Sequence, residues 1–208
     1  MHQSTRRGIQ IIAVIVLFLC LIYGPASAIS GISEEKVKAS RAWFEKGGSL
    51  FHSSDYQAAI KAYDRAIKLN PVYYKAYNSR GNVYFEMQEY DKAVDDYTRA
   101  IELNPRHHKA YTNRGIAYRL NGRYDKAIQD YTRAIALVPK YYRAYYNRGI
   151  AYHYKKRYSK AIADYTRAIK LNPRSYKAHY NRGIAYRLTQ QSGKAAEDFK
   201  KANEIKRR

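Results

Sequence analysis

The sequence has almost no cysteine, little proline and no motif of a known catalytic chemistry. Cys20 is the only cysteine in 208 residues, so the chain cannot form an internal disulfide. It contains no glycine-rich phosphate loop, no nucleophile elbow and no paired acids in a plausible cleft. These absences argue against an enzyme, and we expect no catalytic residue, no cofactor and no small-molecule substrate.

Acidic residues are also scarce. The chain has 17 Asp and Glu against 39 Lys and Arg, which gives a formal net charge of +22. A field of that sign attracts polyanions or acidic partners. Charge alone does not choose among nucleic acid, an anionic membrane and an acidic peptide.

The most prominent feature present is a repeat of 34 residues. The sequence Asn-Arg-Gly-Ile-Ala-Tyr begins at Asn113, Asn147 and Asn181, and looser copies begin at Ser79 and Glu45. A strict period in this range indicates stacked structural repeats. The same period places glycine at 47, 81, 115, 149 and 183, and proline at 71, 105, 139 and 173.

The spacing within each repeat predicts two helices. We count repeat positions from Ser40, Tyr74, His108, Tyr142 and Tyr176. An aromatic residue at position 4, Gly at 8 and usually Tyr at 11 share one face of a first helix, and the residues at 20, 24 and 27 do so on a second. Proline at position 32 ends the second helix. Since one such unit cannot bury its apolar face alone, neighbouring units must stack into an α-solenoid.

This order of residues resembles the tetratricopeptide repeat. The resemblance covers residues 40–208 and implies an all-α, right-handed solenoid of helix-turn-helix repeats that acts as a non-enzymatic scaffold for protein–protein interaction. The sequence departs from the family pattern at position 7, where Arg or Lys replaces the usual Leu. The expected organisation is a signal peptide at 1–28, a helical lead-in at 29–39 capped by Ser33, and repeats at 40–73, 74–107, 108–141, 142–175 and 176–208.

The N-terminal segment has the plan of a secretory signal peptide. Arg6 and Arg7 precede an apolar run that ends at Tyr23, and Ala26-Ser27-Ala28 provides a cleavage site. The run is shorter than the ~20 residues that span a bilayer as a helix. We therefore expect a secreted or periplasmic protein; the alternative is an uncleaved N-terminal membrane anchor.

The unusual arginine at position 7 varies together with an aspartate at position 23. Repeats two to five carry both residues, whereas repeat one carries neither. A guanidinium and a carboxylate form two parallel hydrogen bonds, so we predict structural pairs within a repeat or across to the next. The alternative is that these arginines bind a ligand. The predicted pairs are Arg80 with Asp96, Arg114 with Asp130, Arg148 with Asp164, and Arg182 with Asp198.

The 24 tyrosines have mostly a structural interpretation. Fifteen lie at positions 4, 11, 17 and 24, where we expect packing between helices, but Tyr146, Tyr154 and Tyr180 do not. His179 replaces the aromatic residue at position 4 and is expected in the core. His107 and His108 lie at a turn with no acid or cysteine at ligand spacing, so they are interpreted as solvated and no metal site is predicted.

A second stripe of the first helix is the candidate binding site. Positions 2, 6, 9 and 13 share a face, with a basic residue always at 2 and Asn at 6 in three repeats. In tetratricopeptide proteins the first helices line a concave groove, and a row of carboxamides can hold an extended peptide backbone. The predicted groove residues are Lys75, Asn82, Lys109, Asn113, Ile116, Arg119, Arg143, Tyr146, Asn147, Ile150, His153, Lys177, Tyr180, Asn181, Ile184 and Arg187.

The leading hypothesis is therefore an exported scaffold that binds an extended or acidic peptide segment of a partner protein. An alternative is a surface protein that binds anionic lipid, polysaccharide or nucleic acid through net charge; the signal peptide argues against nucleic acid. A third hypothesis is self-association of the repeats end to end. The polar stripe also has a simpler interpretation, which is that it keeps an exposed helix soluble.

Overall fold

The computed structural model describes residues 32–207, which divide into two compact units, up to Tyr73 and from Tyr74 onward. The predicted signal peptide and residues 29–31 of the lead-in lie outside the described residues. The first unit contains α1 (Glu34–His52) and α2 (Tyr56–Leu69), which pack against each other. Ser33 caps α1 by accepting a hydrogen bond from the Lys36 N–H, and α1 continues from the lead-in into repeat one.

The second unit contains eight helices. Repeat two supplies α3 (Tyr74–Glu86) and α4 (Tyr90–Leu103), and repeat three supplies α5 (His108–Leu120) and α6 (Tyr124–Leu137). Repeats four and five supply α7 (Tyr142–Tyr154), α8 (Tyr158–Leu171), α9 (Tyr176–Leu188) and α10 (Ser192–Arg207). Each helix packs on the next, and the first helices of neighbouring repeats also touch. The second unit is thus the helical solenoid that the period predicts.

Glycine at position 8 and an aromatic ring at position 24 form the centre of each repeat. A Cβ added to Gly149 would lie 2.7 Å from Cε1 of Tyr165, and one added to Gly115 would lie 2.6 Å from Cε1 of Tyr131. Real Cβ atoms do not approach so closely, so the glycine allows the two helices to meet at the ring. Phe199 has the same relation to Gly183. The alanines at positions 20 and 27 are likewise buried.

The tyrosines divide by position more sharply than the sequence indicates. Those at position 24, namely Tyr63, Tyr97, Tyr131 and Tyr165, are at most 3% exposed. Tyrosines at positions 4 and 11 are half-buried and pack against the edges of the core clusters. The core of each repeat is therefore one ring surrounded by small side chains.

The turns follow a constant pattern. In the first unit and in each repeat of the second, the residue at position 15 has a left-handed backbone, with φ from 57 to 72°. Glycine favours this conformation, but only Gly122 supplies it; the others are Ser54, Gln88, Lys156 and Gln190. At the other turn, Asn104 accepts a hydrogen bond from the Arg106 N–H across Pro105. The second helices end two residues before each proline, as predicted.

The arginine at position 7 joins three elements. Arg114 of α5 donates from Nε and Nη2 to both carboxylate oxygens of Asp130 in α6, each at 2.8 Å. Its remaining Nη1 donates to Thr98 of the preceding repeat at 3.0 Å. The same three contacts recur from Arg148 and Arg182, and Arg80 meets Asp96 in the same way.

The guanidinium groups of these arginines also pack against aromatic rings inside the structure. The guanidinium of Arg148 also lies between the rings of Tyr145 and Tyr152, 5.7 and 6.0 Å from their centroids. Burial lowers its pKa, but the hydrogen-bonded Asp164 carboxylate more than offsets this and holds the pKa above its ordinary value. Arg148 therefore stays charged inside the structure and links repeats three and four.

Candidate functional site

The face of the first helices in the second unit carries the predicted groove residues, and we call it the first-helix face. Its basic row at position 2 is exposed at Lys75, Lys109 and Lys177. Arg143 is exposed too, but it lies close enough to Tyr141 to lower the pKa of that phenol, although burial raises it overall. Three lysines of the row are thus presented to solvent without a described ion-pair partner.

The asparagine side chains of the first-helix face already make hydrogen bonds within the protein, whereas a row of carboxamides that binds a peptide needs free donors and acceptors. Asn113 Nδ2 donates to Asn82 Oδ1 at 3.1 Å, and the Tyr97 hydroxyl donates to the same oxygen at 2.9 Å. Asn147 donates to the Arg143 carbonyl one turn back in its own helix, and Asn181 donates to the Tyr146 hydroxyl. The amide nitrogens of Asn113, Asn147 and Asn181 and the amide oxygen of Asn82 therefore have internal partners. A peptide would meet mainly the remaining oxygens and N–H groups of these side chains.

The second unit has a cavity of about 480 Å³ at repeats three to five. Five predicted groove residues line it: Arg119 from α5, Ile150 and His153 from α7, and Asn181 and Ile184 from α9. The structure thus brings together residues of three successive first helices. Tyr154, Lys156, Tyr158 and Tyr165 complete the lining, which contains no carboxylate.

Two polar atoms of the cavity lining are buried without a complete set of partners. His153 Nδ1 makes no hydrogen bond, and Arg119 Nε is shielded from solvent with only the neutral Tyr131 phenol beside it. Leaving a buried polar group unpaired costs about 1–3 kcal/mol, so this lining favours a place where another molecule completes the hydrogen bonding.

Arg119 dominates the electrostatics of the cavity. Burial raises the pKa of Tyr131, Tyr146 and Tyr165, and the positive charge of Arg119 acts against that rise at all three. Burial lowers the pKa of His153, which favours its neutral form near pH 7. The positive charge on the cavity wall therefore comes from Arg119 and Lys156.

Four lining residues were not among the predicted groove residues. Tyr165 was assigned to the core by its position 24, and its ring does lie under Gly149, but part of it also forms the cavity wall. Tyr158 and Lys156 follow the first helix, outside the stripe that the helical spacing defines. Tyr154 lies on the stripe, is 57% exposed and stacks on Tyr124 at 5.2 Å. A pattern along one helix cannot reveal a wall supplied by another.

Other predicted residues lie outside the cavity. Tyr180 is 51% exposed, with its ring 5.5 Å from that of Phe199. Arg187 places its guanidinium over the same ring at 5.7 Å. Ile116 packs against the cluster around Tyr131, and Tyr146 packs against Tyr165.

His107 and His108, expected to be solvated, are only partly exposed. The His107 ring packs edge-on against Tyr74 at 5.1 Å, and the His108 ring against Tyr141 at 4.9 Å. Burial lowers the pKa of both. His179 lies in the core, as predicted, where Nδ1 is 3.1 Å from Asp198 Oδ1. Within the described part of the chain, no three metal-ligating side chains are grouped to hold an ion.

None of the helices within residues 32–207 has the length and apolar character that crossing a membrane requires.

The fold and the first-helix face define a helical-repeat protein of the kind that serves as an interaction scaffold. The chain belongs to the tetratricopeptide repeat family. The tetratricopeptide repeat model matches residues 74–107, 108–141 and 142–175, and two related models match residues 47–88 and 164–197. Folds of this family are typical of non-enzymatic scaffolds. Among curated proteins, none matches the chain in sequence.

Solved structures support the same assignment. The crystal structure of MamA protein is 26% identical, with a TM-score of 0.74, over 82% of this chain and 93% of that one. YrrB, described as a TPR protein with an unusual peptide-binding site, is 21% identical over 88% and 92%, with a TM-score of 0.68. Pseudomonas aeruginosa pilF is 17% identical over 83% and 78%, with a TM-score of 0.75. The last two show a shared fold alone.

Proposed function

We propose that this protein is an exported, non-enzymatic scaffold whose first-helix face binds an extended, acidic peptide segment of a partner protein. The observation that carries the proposal is the cavity at repeats three to five, where cations, unpaired polar atoms and apolar walls meet. Export is inferred from the N-terminal sequence: two arginines, a short apolar run and an A-x-A site.

The basic row extends the same chemistry beyond the cavity. Lys75, Lys109 and Lys177 are exposed along the face, so an acidic peptide would meet positive charge over several repeats. Charges at the rim of an interface raise the association rate and select partners more than they add affinity. YrrB, of the same fold, is described as having a peptide-binding site, which is compatible with a peptide ligand for this fold.

A second candidate is a surface protein that binds an anionic lipid, polysaccharide or nucleic acid through overall charge. The net charge of +22 favours it. Binding of that kind depends on how many charges are present and not on which face carries them, and it weakens steeply with salt. The two candidates therefore differ in their dependence on position.

The test compares two triple variants of the full-length protein with equal loss of charge. Lys75→Gln, Lys109→Gln and Lys177→Gln alter the first-helix face, and the control replaces the exposed Lys140, Lys170 and Lys200, which follow or lie on second helices. Crosslinked capture from a cell-envelope extract identifies the bound segment. Fluorescence anisotropy with that labelled peptide then gives the Kd.

We expect the first triple variant to bind the peptide roughly tenfold more weakly, from about 0.5 kcal/mol for each exposed charge, and the control to bind as the wild type does. Equal weakening by both, removed by moderate salt, would favour charge alone. Capture of no protein segment would contradict peptide binding.

A further inference from the structure

The cavity at repeats three to five differs from the exposed lysine row of the first-helix face because its cation, Arg119, is partly buried. Arg119 extends from α5 among three tyrosines, and its Nε is shielded from solvent beside the uncharged Tyr131 phenol. A guanidinium accepts no hydrogen bond and keeps its proton in proteins. The group that completes this site must therefore be an acceptor, and an anion would satisfy it best.

We propose that the cavity binds a side-chain carboxylate of the partner peptide, with Arg119 as its main counterion and a neighbouring apolar side chain against Ile150 and Ile184. This assignment rests on the proposed peptide-binding function and makes it more specific. It defines a preferred ligand: an Asp or Glu beside an aliphatic or aromatic residue.

The residues that line the cavity match both the acidic and the apolar side chain of the proposed ligand. No carboxylate of the protein lines the cavity, so Arg119 and Lys156 have no acidic neighbour there to neutralise them. His153 Nδ1 is a second buried polar atom without a partner. Ile150, Ile184 and the rings of Tyr154 and Tyr158 provide the apolar surface. A volume of about 480 Å³ falls in the range of small-ligand pockets, enough for two adjacent side chains.

Lys156 is an informative residue because its backbone favours a different amino acid. Its φ is 57°, in the region where glycine is preferred, and Gly122 occupies the equivalent position of repeat three with φ 72°. Lys156→Gly therefore removes a cation from the cavity and relieves the backbone. This variant separates ligand binding from folding, which Arg119→Gln does not, since Arg119 lies against buried tyrosines.

The experiment uses short random peptides with amidated C-termini, selected on the full-length protein. The most enriched acidic peptide is then synthesised in three forms. The first keeps its acidic side chain, and the second carries the corresponding side-chain amide, Asn or Gln, at that position. The third carries the same side-chain amide together with a free C-terminal carboxylate. The proteins compared are the wild type, Arg119→Gln, Lys156→Gly and the control Arg133→Gln. Arg133 is exposed on α6, a second helix, and does not line the cavity.

We expect the wild type to select an acid next to an apolar residue and to bind the amide form roughly 30-fold more weakly, about 2 kcal/mol for loss of a desolvated charge pair. Arg119→Gln should bind the acid and amide forms equally. Lys156→Gly should weaken binding of the acid form a fewfold while its melting temperature stays the same or rises. Arg133→Gln should bind as the wild type does.

The other outcomes are distinguishable. Selection of peptides without acidic preference, or equal weakening of both forms by Arg119→Gln, would overturn the carboxylate site and leave peptide binding in place. If the side-chain amide peptide binds tightly only when its C-terminus is a free carboxylate, then the chain end, and not a side chain, supplies the carboxylate that the cavity binds. If no peptide binds the wild type, the proposed function fails and this assignment fails with it.

Discussion

Asp164→Ala is expected to lower the free energy of unfolding by about 3 kcal/mol, because it leaves a buried guanidinium without its carboxylate. Arg148 and Asp164 are 17% and 8% exposed and share two hydrogen bonds of 2.8 Å. Chemical denaturation followed by circular dichroism measures the change. Since Arg148 also holds Thr132 of the preceding repeat, hydrogen exchange should accelerate in α6 as well as in α7 and α8.

The matched control is Asp125→Ala. Asp125 is 71% exposed and pairs with Lys155 at the surface, where an ion pair contributes only about 0–1 kcal/mol. The double variant Arg148→Met, Asp164→Ala should recover part of the loss, because no buried charge then remains unpaired. If Asp164→Ala and Asp125→Ala unfold at the same denaturant concentration, the Arg148–Asp164 pair does not stabilise the fold. The alternative interpretation, that these arginines bind a ligand, would then be favoured.

Gly149→Ala is expected to cost about 1–2 kcal/mol although alanine is the better helix former. The new methyl group would lie 2.7 Å from Cε1 and 2.8 Å from Cδ1 of Tyr165, whose side chain is 1% exposed. Overpacking of this kind typically costs 1–3 kcal/mol, whereas the helix propensity of alanine returns at most about 1 kcal/mol. The denaturation midpoint should therefore fall.

Two comparisons isolate the contact with the ring. Gly193→Ala in α10 places a methyl group where no atom lies within 4 Å, so it should leave stability unchanged or raise it slightly. In a Tyr165→Leu background, Gly149→Ala should cost less than in the wild type, because the ring is gone. An equal cost in both backgrounds would show that the backbone, and not the ring, requires glycine at this position.

The prediction of the arginine–aspartate pairs shows what a repeated sequence can reveal. Because the chain contains five copies of the repeat, the residue at position 7 can be compared with the residue at position 23 in each copy. Arginine and aspartate occur together in four copies, and both are absent from the first. The threonine that accepts the third hydrogen bond was not found this way. Threonine stands at that position in repeats two to four, but its contact crosses to the next repeat, and a pattern within a repeat does not show that neighbour.

The groove was predicted in outline and differs in detail. Helical spacing placed Ile150, His153 and Ile184 on one face correctly, because that depends only on 3.6 residues per turn. It did not show that Asn113, Asn147 and Asn181 use their amide nitrogens internally, since each partner is set by how neighbouring helices pack. Nor did it distinguish Arg119, which lines the cavity, from Arg187, which lies over Phe199.

The sequence by itself determined the helical repeat, the helix ends and the residues at the helix contacts, because these follow from local periodicity, proline and the 34-residue period. Tertiary structure alone decided which polar groups remain without partners and where the cavity forms. Both depend on distances between residues of three successive repeats, and the small offset of each repeat from the next is set by packing of all the side chains together. The candidate ligand chemistry follows from those distances.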